Sequence, residues 1–375
     1  MLPILSSLPS VQGKYVIVRA SLDVPIENGV VTNDFRIKKS VPTIKILCER
    51  GARVIVMTHV GRDKSNTTQP IYSVLQKYVP LSHAEAVIGD AVTQKIKALR
   101  DGEALLLGNL RAHDEEEAND DAFAKTLASY ADFYVNDAFA VSHRAHASIV
   151  GIPTHIPGFI GVTFEEEYTN LSRALVPEHP ALFILGGAKF ETKQPLIERY
   201  STSYDHVALG GALANDFLKA RGFPVGSSLV SPVDLSTDPI AQKENIIVPV
   251  DVVTDGPHGR REIAVAHVRE DEKILDIGPQ SVEALAPRIR DAKTILWNGP
   301  LGYYEGGYDS ATKAVAKLVA ESEAFSVVGG GDTVAAIESL GLQDKFGFLS
   351  TAGGAMLEFL EKGTLPGIDV LSKQE

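Results

Sequence analysis

"SVVGGGDTVAA", residues 326–336, is the stretch that decides the fold. A run of strand character enters three consecutive glycines, and the chain leaves them through Asp332 and Thr333 into alanine-rich, helix-forming sequence. Strand, glycine turn, helix is the βα unit of a parallel sheet. Glycine is costly to order, so three in a row mark a place where bare backbone is needed, as when a ligand approaches closely.

The same pattern recurs outward from this stretch. "YVIVRASL", "ARVIVMTH", "EALLLGN" and "DFYVNDAF" precede it in the first half, and "ALFILGG", "HVALGG", "NIIVPVDVV", "KTILWNG", "FSVVGGG" and "FGFLST" fill the second. Nearly all are unbroken apolar runs rich in Val, Ile and Leu, as in strands covered on both faces of a parallel sheet. Helical segments such as "SVPTIKILCERG", "DAFAKTLASYA", "QPLIERYSTSY" and "SATKAVAKLVAESEAF" lie between them. The alternation predicts α/β units with right-handed crossovers. A helix-like "FEEEYTNLSRALVPEHP" separates the two sets and stops at Pro177 and Pro180. We therefore expect an N-terminal domain over 1–164, a connector over 165–180 and a C-terminal domain from 181. The acidic "DEEEANDD" at 114–121 is expected to be a solvated helix start.

A chain of 375 residues fits two domains. The apolar runs fall short of the ~20 residues of a membrane helix, and the N-terminus lacks the basic region of a signal peptide. One cysteine, Cys48, permits no intrachain disulfide and suits a reducing cytoplasm; we expect it to be inert packing. Residues 1–164 carry 17 basic and 17 acidic side chains, so the whole net charge of -12 lies in the remainder. That balance argues against nucleic acid as a partner but leaves room for a local basic pocket.

In open parallel sheets ligands sit beyond the carboxyl ends of the strands. In the first half those ends bring Arg19, Ser21 and Asp23, then His59 and Arg62, then Asn109, Arg111 and His113, then Asp137, His143, Arg144 and His146, with Arg36 after the first. Guanidinium forks suit phosphate and carboxylate, and their repetition along one rim points to an anionic ligand. His143 and His146 read as anion contacts or internal hydrogen-bonding groups rather than metal ligands, since no cysteine or H-E-x-x-H helix accompanies them. In the second half the ends are glycine-rich: "GGAKFETK", "GGALANDF" with Gly210 and Gly211, "WNGPLGYYEGG" with Pro300, "GGGDTVAA" with Gly330 and Gly331, and "STAGGAMLEF". Bare backbone at helix N-termini suits phosphates. Lys189 and Lys193 add mobile charge, and Asp332 is placed to bind Mg²⁺ beside nucleotide phosphates. No Walker A loop, G-x-G-x-x-G or G-x-S-x-G occurs. A cationic half and a nucleotide half suit phosphoryl transfer between oxyanions, which needs alignment and positive charge rather than a general base.

Taken in order, "VIVRASLDVPIENGVVTNDFRI", "MTHVGR", "NLRAHDEEEAND", "YVNDAFAVSHRAHAS", "ILGGAKFETK", "LDIGP", "WNGPLGYYE", "GGGDTVAA" and "STAGGAMLEFLEKGTLPGI" resemble the phosphoglycerate kinase family along nearly the whole chain. The resemblance implies two doubly wound parallel-sheet (Rossmann-like) domains joined by a helix, with a nucleotide-binding domain ending near 361 and a tail over 362–375 returning to the N-terminal domain. It implies Mg²⁺-dependent interconversion of 1,3-bisphosphoglycerate plus ADP with 3-phosphoglycerate plus ATP, in a cytoplasmic monomer that closes on its substrates. By motif position Arg36, His59, Arg62, Arg111 and Arg144 would hold the phosphoglycerate, with Ser21 and Asp23. Arg36 and Lys189 would reach the transferring phosphoryl group. Lys193, Asn298, Glu305 and Thr333 would serve the nucleotide, Asp332 its Mg²⁺, and Gly353 and Gly354 would face the reaction from a helix N-terminus.

The chain departs from the family pattern in three places. "RASLDVP" stands for R-V-D-F-N-V-P, so Ser21 replaces an Asp and Asp23 an Asn; "STAGGA" puts Ala352 at the first of three glycines; Ala112 replaces a Phe. In a strand, positions i and i+2 point to the same side, so Ser21 and Asp23 are expected to share a face. Two further readings stay open at this point. One is a regulatory nucleotide-binding paralogue, supported only by Ser21 and Ala352. The other is a Rossmann-type oxidoreductase, which the missing fingerprint disfavours.

Overall fold

A run such as "YVIVRA" has no polar face to offer water, so it is stable only as a strand covered on both sides. In the computed structural model, which describes residues 2–373, β1 (Tyr15–Ala20) is buried at every position after Tyr15. The chain forms two compact units. One runs through Thr169 and takes back the chain from Thr364 onward; the other spans Asn170–Gly363.

The first unit continues with the hairpin β2 (Ile26–Glu27) and β3 (Val30–Val31), then β4 (Arg53–Thr58), β5 (Leu81–His83), β6 (Ala104–Asn109), β7 (Phe133–Asp137) and β8 (Gly158–Ile160). Its main sheet has the order β5-β6-β4-β1-β7-β8, all pairs parallel. The chain moves outward from β1 on one side, then returns to start again at β7. That reversal between β1 and β7 is a topological switch point, where strand ends splay and leave a crevice.

The second unit holds β9 (Ala181–Leu185), β10 (His206–Leu209), β11 (Ile246–Ile247), β12 (Asp251–Asp255), β13 (Arg261–Ala264), β14 (Lys273–Ile277), β15 (Thr294–Asn298), β16 (Phe325–Gly329) and β17 (Phe348–Leu349). The parallel sheet runs β11-β10-β9-β15-β16-β17, with its switch point between β9 and β15. Asn298 at the end of β15 lies opposite Leu185 and Gly329. Trp297 is fully buried, and its indole N–H donates to the Gly299 carbonyl at 2.9 Å, so this turn is tied to the core. Both sheets have the doubly wound parallel architecture expected from the sequence.

Three readings need correction. "NIIVPVDVV" is not one strand. Pro249 has no N–H for a ladder, and the run splits into β11 at the parallel sheet's edge and β12 in a separate antiparallel sheet ordered β13-β12-β14. The acidic "DEEEANDD" does begin a short helix, Asp114–Glu117, but Glu116 is 0% exposed and not solvated. Asp137 is not a rim acid. It ends β7, is fully buried, and accepts from the Thr163 and Phe164 N–H groups at 2.9 and 3.2 Å at the start of the helix Val162–Leu175. Burial pushes its pKa up to about 7 against those hydrogen bonds. Cys48 is buried, and burial raises its thiol to about 11, as inert packing requires.

Candidate active site

The rim of the first unit is built on strand ends. β1 stops at Ala20, so Ser21 and Asp23 lie in the following loop and strand alternation does not apply to them. The loop is anchored where the Leu22 N–H donates to Thr58 Oγ1 at 3.3 Å. Asp23 turns its carboxylate to the next strand end: Oδ1 accepts from the Gly61 N–H at 2.8 Å, and Oδ2 faces His59 Nε2 at 3.5 Å. These contacts, with Arg36 nearby, outweigh desolvation and hold Asp23 at about 2. Arg36 Nη1 donates to the Asp23 carbonyl at 2.9 Å. His59 is buried, and desolvation lowers it to about 4.

Arg111 follows β6 in a short turn. Its backbone N–H is capped by Asn109, and its Nη1 donates to the Gly61 carbonyl. Burial, then the neighbouring Arg144 charge, lowers its basicity. Arg111 Nε is paired with the exposed Glu117 carboxylate at 3.1 Å, and with the Arg144 charge close by the rim still suits an anion. Arg62 is exposed and follows Gly61, whose carbonyl Arg111 holds. His146 lies 3.9 Å from Glu116 and, lowered to about 4 by burial, is a neutral internal group. No cluster of three metal-ligating side chains occurs among the described residues.

In the second unit a cavity of about 490 Å³ opens at the switch point. Gly187 and Pro300, just past β9 and β15, form its floor, and Gly211, Glu305 and Asp332 also line it. Gly211 has φ +59, and a Cβ there would lie 2.6 Å from the Gly187 nitrogen, so only glycine keeps this crevice open. Gly210 precedes it as the cap residue of the helix Gly211–Ala220. Apolar wall is supplied by Leu218, Leu229, Val252 and Ile274, and Tyr303 stands at 54% exposure. An apolar slot with a few polar groups suits a flat heterocycle.

Lys189 is exposed at the N-terminal edge of the helix Phe190–Ser203. Lys193, one turn on, is buried and donates from Nζ to the Gly186 carbonyl. A Cβ on Gly187 or Gly299 would lie 2.9 Å from that Nζ. Desolvation lowers Lys193 to about 8. Gly330 takes φ +102 before the helix Gly331–Ser339, which carries Asp332 and Thr333 in its first turn. Asp332 is exposed, whereas Thr333 is fully buried with a hydroxyl that lacks a hydrogen-bond partner. Gly353, with φ +52, precedes the helix Gly354–Lys362. Ala352 has no positive φ and is buried, so the backbone of this loop accommodates its methyl group.

The sequence of the phosphoglycerate kinase family matches residues 6–363 of this chain. The chain belongs to the phosphoglycerate kinase family. A phosphoglycerate kinase of Leptospira biflexa is 40% identical over 100% of this chain and 99% of its own length. Among solved structures, phosphoglycerate kinase from Coxiella burnetii superposes with a TM-score of 0.89 at 35% identity, covering 100% of both chains. The enzyme from Pyrococcus horikoshii OT3 does so with 0.85 at 32% identity, over 99% of this chain and 98% of that one. What the sequence did not show is the apolar wall of the cavity, which carries no motif: it comes from scattered Leu, Val and Ile that look like any core residue.

Proposed function

We propose that this chain transfers a phosphoryl group reversibly between 1,3-bisphosphoglycerate and ADP, giving 3-phosphoglycerate and ATP. The observation that carries the reading is the cavity at the β9/β15 switch point, lined by Gly187, Gly211, Glu305 and Asp332, with Lys189 and Lys193 at the start of the helix that follows β9. In this reading residues 1–164, with the tail 362–375, form the phosphoglycerate-binding domain, 165–180 the connector and 181–361 the nucleotide-binding domain. One chain supplies every group required, so we read it as a monomer, and its single cysteine suits the cytoplasm. No helix among the described residues is long and apolar enough to cross a membrane.

Arg36, His59, Arg62, Arg111 and Arg144 would hold the substrate's phosphate and carboxylate, with Ser21 and Asp23 at its hydroxyl. The base would enter the apolar cavity, Glu305 would take the ribose, and Gly210, Gly211, Asn298, Pro300, Gly330 and Gly331 would border the nucleotide. Lys193 and Thr333 would contact its phosphates. Asp332 and Thr333 fit Mg²⁺ that arrives with the nucleotide. Such an ion uses one or two carboxylates plus phosphate oxygens rather than a full protein cage, and the orphaned Thr333 hydroxyl follows Asp332 directly in the chain. When bound, the ion would neutralise phosphate charge. A carboxylate oxygen of 3-phosphoglycerate needs no base to attack. It needs in-line approach to ~3–3.5 Å and positive charge around the moving group, for which we propose Arg36, Lys189 and the helix N-terminus at Gly353 and Gly354. A coupled assay with 3-phosphoglycerate, ATP and Mg²⁺ tests the reading: no turnover overturns it.

Lys193 makes nucleotide binding pH-dependent. Its ammonium form is disfavoured by burial, with a pKa near 8, and phosphate oxygens would favour that form. Binding should therefore take up a proton above pH 8, and ADP affinity should fall as pH rises beyond that value, by up to about tenfold per pH unit. Calorimetry in buffers of different ionisation enthalpy measures the uptake; no uptake at pH 8.5–9 removes Lys193 from the phosphates.

The paired change Ser21→Asp with Asp23→Asn restores the family pattern at the rim. An amide adds a donor near an anionic substrate, worth ~0.5–1.5 kcal/mol. We expect KM for 3-phosphoglycerate to fall about threefold to tenfold with kcat within a few-fold. Turnover gained only on making the pair would mean that the parent is not a working kinase.

A further inference from the structure

We propose that Arg19 is a positioning residue of the phosphoglycerate half-site: it fixes His59 as the neutral tautomer protonated on Nε2, and that proton steadies the Asp23 carboxylate. The proposal rests on the reading of this rim as the phosphoglycerate side.

Arg19 is 1% exposed at the centre of the first unit's sheet. Its guanidinium can only donate and does not lose its charge. It donates from Nη1 to the Ala20 carbonyl at 2.7 Å and from Nε to Ser148 Oγ at 2.9 Å. Its Nη2 lies 3.0 Å from His59 Nδ1. With only donors on the arginine, Nδ1 must accept. A ring that accepts on Nδ1 carries its single proton on Nε2, the atom that faces Asp23 Oδ2 at 3.5 Å. An imidazolium would set N–H against N–H at the arginine, so His59 stays neutral.

The groups around the ring agree. Arg19 from β1 and Arg111 from the turn after β6 oppose a charge on His59, and so does its burial; Asp23, from the loop after β1, favours one. The buried guanidinium is neutralised from its other side. Ser148 Oγ donates to Glu116 Oε1 at 2.5 Å, and the Ser148 N–H donates to Oε2 at 2.9 Å. From the core outward the line is therefore Glu116 anion, Ser148, Arg19 cation, neutral His59, Asp23 anion. Each proton has one place to be. The direction of every hydrogen bond from Glu116 to Asp23 is thus fixed, and Asp23 is held as an acceptor at the strand end.

The direct test is nuclear magnetic resonance of the ¹⁵N-histidine protein, with the His59 signal identified by its loss in His59→Gln. The expected ring is neutral with its proton on Nε2 from pH 7.5 to pH 5, where free histidine has already titrated near 6.5. A proton on Nδ1, or an imidazolium at pH 6, overturns the proposal. A kinetic test removes both buried charges together, Arg19→Met with Glu116→Gln, because one alone would strand the other. KM for 3-phosphoglycerate should rise about threefold to tenfold at pH 7.5, with kcat less affected. The variant-to-parent KM ratio should break near pH 6–6.5 as His59 begins to titrate. Taking the ratio cancels the substrate phosphate's own ionisation near pH 6. A flat ratio in a folded variant overturns the positioning role. If the variant does not fold, the tautomer of the unaltered protein decides. Absence of turnover in the parent would defeat the kinase reading and leave the tautomer result standing.

Discussion

Lys189→Ala is expected to lower kcat by about two to three orders of magnitude, ~2.7–4 kcal/mol, as for loss of one preorganised charge donor. KM for either substrate should stay within a few-fold. Charge on the phosphoryl group changes most between ground and transition states, so an ammonium aimed there acts on rate rather than affinity. The fold gives this lysine no other task. It is exposed, its side chain does not cap the helix Phe190–Ser203, and it stands at that helix's positive end. A cation there is unfavourable by ~0.3–1 kcal/mol. Removing it should leave Tm unchanged or slightly higher while activity collapses. Steady-state kinetics paired with thermal unfolding checks both halves. A pure KM effect, or a fall in Tm that accounts for the lost rate, would remove Lys189 from the transition state. Lys193→Ala offers the contrast: that side chain is buried and bonded to the Gly186 carbonyl, so its loss should disturb stability as well as binding.

The difference between these two lysines shows what the sequence carries and what it withholds. "GGAKFETK" announces two cations after a glycine turn, and the i, i+4 spacing sets them one helical turn apart. Which is buried depends on the Gly187 and Gly299 backbones, brought together by the pairing of β9 with β15, more than 100 residues apart. The parallel strands themselves were legible because burial on both faces leaves unbroken apolar runs. "NIIVPVDVV" misled for the same reason: a run of Val and Ile does not say which sheet it joins, and only Pro249 hinted at the break. Glu116 was hidden by its company. Its neighbours Asp114, Glu115 and Glu117 are solvated or partly so, and the helical turn sends only Glu116 inward to Ser148. Ser21 and Asp23 stand out as departures, but they do not share a strand face, since β1 ends at Ala20, before both. Ala352 stands where the family has the first of three glycines, but the backbone does not need glycine there, because the positive φ falls on Gly353.

Asp332→Ala should remove most activity at ordinary Mg²⁺, about a hundredfold or more, since a bound ion supplies several kcal/mol of charge stabilisation during transfer. The expected size of the effect follows from how few protein ligands such an ion would have. Among the described residues no three metal-ligating side chains cluster anywhere, so a divalent ion has no ready-made cage. Mg²⁺ does not require one: it keeps several waters, takes phosphate oxygens, and is fixed in place by one or two carboxylates. Asp332 is exposed at the cavity, in the first turn of the helix Gly331–Ser339. Replacing it also removes an anion from the helix's positive end, which costs only ~0.3–1 kcal/mol of stability, so the fold should survive. Loss of the ligand should appear as a shifted metal requirement. Activity of the variant should climb with Mg²⁺ at concentrations where the parent is saturated, and Asp332→Asn, which keeps an oxygen ligand without the charge, should fall between the two. Binding of 3-phosphoglycerate alone, measured calorimetrically, should be unchanged. Full activity of Asp332→Ala at ordinary Mg²⁺ would show that the carboxylate after the triple glycine does not hold the metal, and the glycines would then serve the phosphates alone.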